Sequence, residues 1–202
     1  MFDFPIPRTQ LGRRLNMDEL SSHFDKCWDN MKYSYFQYER LQDYQELDNP
    51  SYIKFKEGNM KEAVEKLYES VCDDVPYYRE ICRKGISYVR VHTVNFPLTD
   101  YIKWELHSYS LLCQFGQRIL LADITSEPRD SDLWCSYDFL LFDSDTVMVQ
   151  DYGDDGILCG GWITEDSQIV KKFDLLSKKL TSASIPLGEF KNTKLSELPS
   201  NL

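Results

Sequence analysis

The chain has 202 residues, 42% hydrophobic and 28% charged, which is enough apolar material for one compact α/β or α+β unit. Its 33 acidic against 23 basic residues give a net charge of −10, whose field repels phosphate backbones and anionic membranes, so direct nucleic-acid binding is not expected. No run approaches the ~18–20 apolar residues of a membrane span, and Met1-Phe2-Asp3-Phe4-Pro5 lacks the basic-then-apolar order of a signal peptide, so a cytoplasmic protein is expected.

The six cysteines (Cys27, Cys72, Cys82, Cys113, Cys135, Cys159) contain no Cys-x-x-Cys pair, and they are expected to be reduced and mostly to fill core space. Two prolines two apart, Pro5 and Pro7, forbid a helix at the start, so residues 1–15 read as an extended arm that depends on docking for order. Asn16 and Glu19 form a capping-box pattern, with Leu20, Phe24, Cys27, Trp28 and Met31 at helical spacing behind them. The aromatic stretch Tyr33–Tyr52 reads as half-buried tyrosines at a helix interface. Asn59 and Glu62 open a further helix, and another runs from Pro76 to about Arg83 and stops at Gly85, so residues 16–85 are expected to be mainly helical.

The pattern changes at Ile86–Val94, an alternating β-branched run that reads as the first strand of a sheet. Thr99 caps a helix that ends at Gly116, and Arg118–Ile124 is a second strand, so the three make a βαβ unit with a parallel pair. After a polar loop, Glu127–Asp132, the runs Tyr137–Phe142, Thr146–Tyr152 and Ile157–Ile163 are joined by Asp143-Ser144-Asp145 and Asp154-Asp155-Gly156 and predict an antiparallel meander. Asp166 caps a last helix, and residues 188–202 are expected to be a poorly ordered polar tail. The expected architecture is α+β: a helical N-terminal half packed on a five-stranded mixed sheet spanning 86–187, with a C-terminal helix, and 16–187 forming one unit.

Arg90-Val91, Pro97-Leu98-Thr99-Asp100-Tyr101 and Trp104-Glu105, together with Tyr137-Asp138-Phe139-Leu140-Leu141-Phe142-Asp143, Asp151-Tyr152 and Gly156, resemble the signature of an uncharacterised bacterial domain family. That family is abundant in actinobacteria and often encoded near helix-turn-helix regulators. Glu39-Arg40-Leu41, Tyr44, Phe55 and Gly58 resemble its N-terminal region, so the resemblance covers roughly residues 20–187. It implies no activity and transfers no catalytic residues. The C-terminal order of elements also resembles one half of a phospholipase D-type fold, whose enzymes need a His-x-Lys motif. None of His23, His92 and His107 has a lysine two residues on, so this resemblance implies a non-catalytic version.

Nine acidic residues lie between Glu127 and Asp155. Their spacing fits no calcium loop, and Asp143, Asp145, Asp151, Asp154 and Asp155 read as solvated turn carboxylates or as an acidic surface facing a partner, with no metal or cofactor expected. Arg90 falls in a strand that should be central, where an unpaired guanidinium is costly, so it needs Asp100, Glu105 or Asp138 as a partner. The strand's C-terminal end is where open α/β sheets place ligands, and Tyr101 and Trp104 would line such a pocket, Tyr101 sharing a helix face with Glu105 and Trp104 lying in the core. Arg90, Asp100, Tyr101, Trp104, Glu105 and Asp138 are therefore the expected binding set. The expected function is a non-enzymatic interaction or regulatory module of bacterial or phage origin that recognises a protein or a small ligand, with a protein partner. Two alternatives stand beside it: an acidic nucleic-acid mimic that inhibits a bacterial or phage defence protein, and a phosphodiesterase-like hydrolase using His92.

Overall fold

Eight strands form one mixed sheet in the computed structural model, which describes residues 6–127 and 137–195. A 3-10 turn, Arg8–Gln10, leads into β1 (Arg13–Leu15), and α1 (Met17–Asn30) begins on the expected capping box: Asn16 Oδ1 accepts from the Glu19 N–H and Glu19 accepts from the Asn16 N–H, both at 3.0 Å. β2 (Ser34–Glu39) follows, then α2 (Pro50–Lys56), α3 (Met60–Asp73), α4 (Val75–Lys84) and β3 (Ser87–Val94). Next come α5 (Asp100–Gln114), β4 (Arg118–Asp123), β5 (Asp138–Phe142), β6 (Thr146–Tyr152), β7 (Leu158–Thr164), α6 (Ser167–Ala183), β8 (Ile185–Pro186) and α7 (Leu187–Phe190).

The strand order is β1-β7-β6-β5-β2-β3-β4-β8. The expected βαβ unit is present: β3 and β4 pair in parallel, with α5 between them in the chain, capped by Thr99 and stopped at Gly116, whose φ is +94°. The expected meander β5-β6-β7 is antiparallel throughout. Three strands exceed the five read from the sequence. β1 and β8 are two to three residues long, too short to show alternation, and they pair antiparallel with β7 and β4. β2 is the larger correction: the aromatic run expected at a helix interface is a strand at the middle of the sheet, parallel to β3 and antiparallel to β5. Residues 16–85 are thus not purely helical.

Two further expectations change. The described part of the arm is docked, with Ile6, Leu11 and Leu15 buried. The tail does not begin at 188, because Leu187 and Phe190 of α7 are buried and a π-helical turn continues through Lys191–Leu195. Residues 196–202, the arm's first five residues, Cys135 and the loop residues 128–132 lie outside the described residues.

Side chains alternate across the sheet and segregate by face. Phe36, Tyr38, Val91, Leu120, Phe139, Leu141, Val147 and Val149 meet Val170, Phe173, Leu176 and Leu180 of α6. The opposite face carries two separate apolar clusters. One joins α2, α3 and α5 to Val94, Ile119 and Leu121, and the other joins α1 to Tyr35, Leu140, Phe142 and Met148.

Two substitutions test these layers by urea denaturation. Trp104 is 1% exposed, stacks on Phe55 with ring centroids 5.4 Å apart and donates through Nε1 to Ser51 Oγ at 3.1 Å, so Trp104→Ala is expected to cost ~3–5 kcal/mol. The Asp143 carboxylate accepts the backbone N–H groups of Lys32, Tyr33 and Ser34 at 2.7–2.8 Å, at a φ of +52° that disfavours alanine, so Asp143→Ala is expected to cost ~2–3 kcal/mol and Asp143→Asn less.

Candidate functional site

The buried residues of the two apolar clusters are separate, and only their partly buried margins touch, where Tyr78 of α4 stacks on Tyr88 of β3 with ring centroids 6.4 Å apart. Between them the sheet shows polar side chains, because register puts Gln37 of β2 beside Arg90 of β3, Glu39 beside His92, and Asp138 of β5 beside Gln150 of β6. Over this strip lies an open cleft of about 570 Å³, and a second cavity of about 350 Å³ adjoins it, sharing Met17, Arg90 and Leu158. The outer wall of the larger cleft is the segment 40–49. Gln42 holds that wall, its Nε2 donating to the Thr93 carbonyl at 2.6 Å and its Oε1 accepting the Asn95 N–H at 2.8 Å. Gly156, at φ +80°, lets the β6–β7 turn approach, since a Cβ there would stand 3.0 Å from the Asp43 carbonyl.

Arg90 lies on the cleft floor, 86% buried as a side chain, and its partners are Glu39 at 3.3 Å and Glu105 at 3.7 Å. It also sits over the Tyr109 ring, 5.2 Å from the centroid. Of the three expected partners only Glu105 is correct. Asp100, in the first turn of α5, is exposed and pairs with Lys103 at 2.8 Å. Asp138 is buried two strands away, where it accepts from the Tyr44 hydroxyl and faces Arg40 at 3.3 Å. Glu39, the nearer partner of Arg90, Glu46, the lip carboxylate, and the wall residues Tyr44 and Tyr152 are among the site residues absent from the expected binding set.

The expected pair Tyr101 and Trp104 both line the cleft and both are buried, Trp104 at 1% and Tyr101 at 4% exposed. The Tyr101 hydroxyl donates to Glu46 at 2.5 Å. Beneath the floor, His92 donates from Nε2 to the Leu41 carbonyl at 2.7 Å, and its Nδ1 lies 2.7 Å from the Tyr109 hydroxyl, whose one proton serves either Nδ1 or Glu39, the latter 2.6 Å away. Both imidazole nitrogens are thus occupied inside the protein, and burial pushes the His92 pKa down.

The acidic stretch is dispersed among structural tasks. Asp143 holds backbone N–H groups, and Asp151 pairs with Arg14 at 2.8 Å and Arg8 at 3.5 Å, both of which sit over the Trp162 ring. Asp145 accepts from the neighbouring Thr146 hydroxyl at 3.1 Å, and Asp155 accepts the Ile157 N–H at 3.1 Å within the turn that contains Asp154. Among the described residues no group of three or more His, Cys, Asp or Glu side chains is placed to hold a metal ion, and no helix is long and apolar enough to cross a membrane.

Burial, reinforced by Glu46 and Glu39 and opposed by Arg90, raises the Glu105 carboxyl from 4.5 to about 8. Burial likewise lifts Asp138 to about 7, against the pull of the Tyr44 hydrogen bond and Arg40. Both groups keep a proton in the folded state that the unfolded chain has lost, so each makes stability fall as pH rises toward its folded value. His92 acts oppositely below about pH 6.5, where the unfolded imidazole takes up a proton. The Tm is therefore expected to fall between about pH 6.5 and 8.5, and a thermal melt of Glu105→Gln should show a clearly smaller fall over that interval.

No curated protein matches the sequence. Among solved structures, TrmBL2, an archaeal chromatin protein described as showing a novel mode of DNA binding, is similar over 85% of this chain and 52% of its own at 9% identity, with a TM-score of 0.42. The chain thus spans about half the length of that structure, at a likeness too low to establish a shared fold. A family model described as a domain of unknown function matches residues 22–192, which contain every cleft residue named above except Met17. The chain belongs to this family, DUF6879.

Proposed function

We propose that this protein is a non-enzymatic recognition module whose binding site is the cleft between α1 and α5, and that it regulates a partner according to what occupies that cleft. The observation that supports this most is Arg90. A guanidinium in the middle of a sheet face, with Glu39 and Glu105 at 3.3 and 3.7 Å and its Nε without a hydrogen-bond partner, sits beneath an opening of about 570 Å³ walled by Tyr44, Tyr101, Trp104 and Tyr152. A purely structural ion pair needs no such opening, whereas convergent polar groups in an aromatic-walled concavity are the usual form of a ligand site.

The other two readings have less support. A hydrolase built on His92 needs a nitrogen facing a substrate, and both nitrogens bond inward. A nucleic-acid mimic needs a row of free carboxylates, and Asp143 and Asp151 are tied into the fold.

Met17, 42% exposed, borders both cavities, so Met17→Trp should obstruct the cleft without entering the core. In a thermal-shift screen of small polar aromatic compounds, those that raise the wild-type Tm are expected to bind Met17→Trp at least tenfold more weakly by calorimetry. Compounds or protein partners that bind both forms equally would remove the cleft from the function.

A further inference from the structure

We propose that the cleft takes an organic cation, a protonated amine or amidinium carried on a flat or apolar body, which places its charge against Glu105 and Glu46. The inference rests on the recognition role of the cleft and names its ligand. Four carboxyl side chains, Glu39, Glu46, Asp48 and Glu105, line the cleft against one guanidinium, Arg90, so an anion meets net repulsion there.

Glu105 supplies the independent sign that something is to be bound. Its side chain is 10% exposed and its only described charge contact is Arg90 at 3.7 Å, beyond hydrogen-bond length. Among the described residues this cavity-lining carboxyl makes no hydrogen bond, so it has acceptor capacity left for an N–H donor. Glu46 faces it from the segment 40–49 and already accepts from Tyr101 and from Asn49 Nδ2 at 2.7 Å, so its lone pairs are oriented before a ligand arrives. The rings of Tyr44, Tyr101 and Tyr152 form one wall, and half-exposed Met17 and exposed Leu47 form an apolar rim for the rest of the ligand.

Cation binding also moves a proton. Glu105 is faced by Glu39 from β2, Arg90 from β3, Glu46 from the segment 40–49, and Tyr101 and Tyr109 from its own helix. Burial and the two glutamates keep it protonated near neutrality, with a pKa of about 8. A bound ammonium or amidinium favours the carboxylate, so the carboxyl proton passes to the buffer as the ligand's N–H takes its place.

The full chain is titrated by calorimetry at pH 7.5 with benzamidine and phenethylamine, their neutral counterparts benzamide and phenethyl alcohol, benzoate, and a blocked arginine peptide. The cations are expected to bind at least tenfold tighter than the neutral compounds, to release a fraction of one proton by comparison of two buffers, and to bind tighter as pH rises. Glu105→Gln should weaken the cations at least tenfold and abolish the proton release, and Glu46→Gln at the lip should weaken them if Glu105→Gln does not fold. A peptide that binds tenfold tighter than benzamidine identifies a partner's basic side chain as the source, and the reverse identifies a free small molecule. Benzoate or benzamide binding as tightly, with that binding lost in Met17→Trp, would overturn the cation and leave the cleft standing. Full cation affinity in both glutamine variants would likewise overturn the inference, and no binding by a probe of any charge would contradict both readings.

Discussion

A guanidinium in the middle of a sheet cannot be covered by an apolar layer without a large desolvation cost, and the placing of Arg90 on β3 imposes that constraint on everything above it. The helices on this face obey it by dividing. α2, α3 and α5 close over one side and α1 over the other, each with its own apolar cluster; α4 joins the two at the Tyr78–Tyr88 stack, and the strip around Gln37, Glu39 and Arg90 stays polar. Glu39 comes from the neighbouring strand and Glu105 from the covering helix, so one cation ties two strands' worth of sheet to α5 while leaving a concavity above itself.

The rigidity of that concavity comes from the segment 40–49, which has no regular structure through most of its length but is bonded at several points. Gln42 fastens it to the end of β3, and the Thr99 hydroxyl that caps α5 donates to the Gln42 carbonyl at 2.5 Å. The Tyr44 hydroxyl accepts the N–H groups of Arg40 and Leu41, both at 3.1 Å, and donates to Asp138, so the buried carboxyl of β5 anchors the wall from below. Asp138 therefore supports the site from beneath its wall rather than lining the cleft. Loops that shape ligand sites on open sheets need this kind of fixing, because irregular backbone otherwise loses its geometry to conformational entropy.

Elements with strong local signals were legible in the sequence. The Asn16–Glu19 box, the Thr99 and Asp166 caps, the β3-α5-β4 unit and the three meander strands depend on neighbours within a few residues, and each is present. β2 was not legible, because Tyr35, Phe36 and Tyr38 put aromatics on both faces of a central strand and erase the period-two alternation. The site suffered most from this. Arg90 was correctly marked as a buried cation, but its nearer partner is Glu39, 51 residues earlier and on the missed strand. Asp100 is nearer to Arg90 in sequence than Glu105, yet it sits in the first turn of α5 and points to solvent, while Glu105, further along the helix, faces the sheet. The one signal for Glu39 and Tyr44 was that both fall in stretches carrying the resemblance to the uncharacterised family.

Glu105 is a buried carboxyl at the cleft floor, held from water by the walls and poised against Arg90. Its own titration tests this most directly, by following the side-chain carboxyl carbon in protein labelled at glutamate and assigning the signal by its loss in Glu105→Gln. A midpoint near 8 is expected, moving down when a cation fills the cleft. A midpoint in the ordinary glutamate range of about 4–5 would mean that water reaches the carboxylate freely and that the walls do not enclose it.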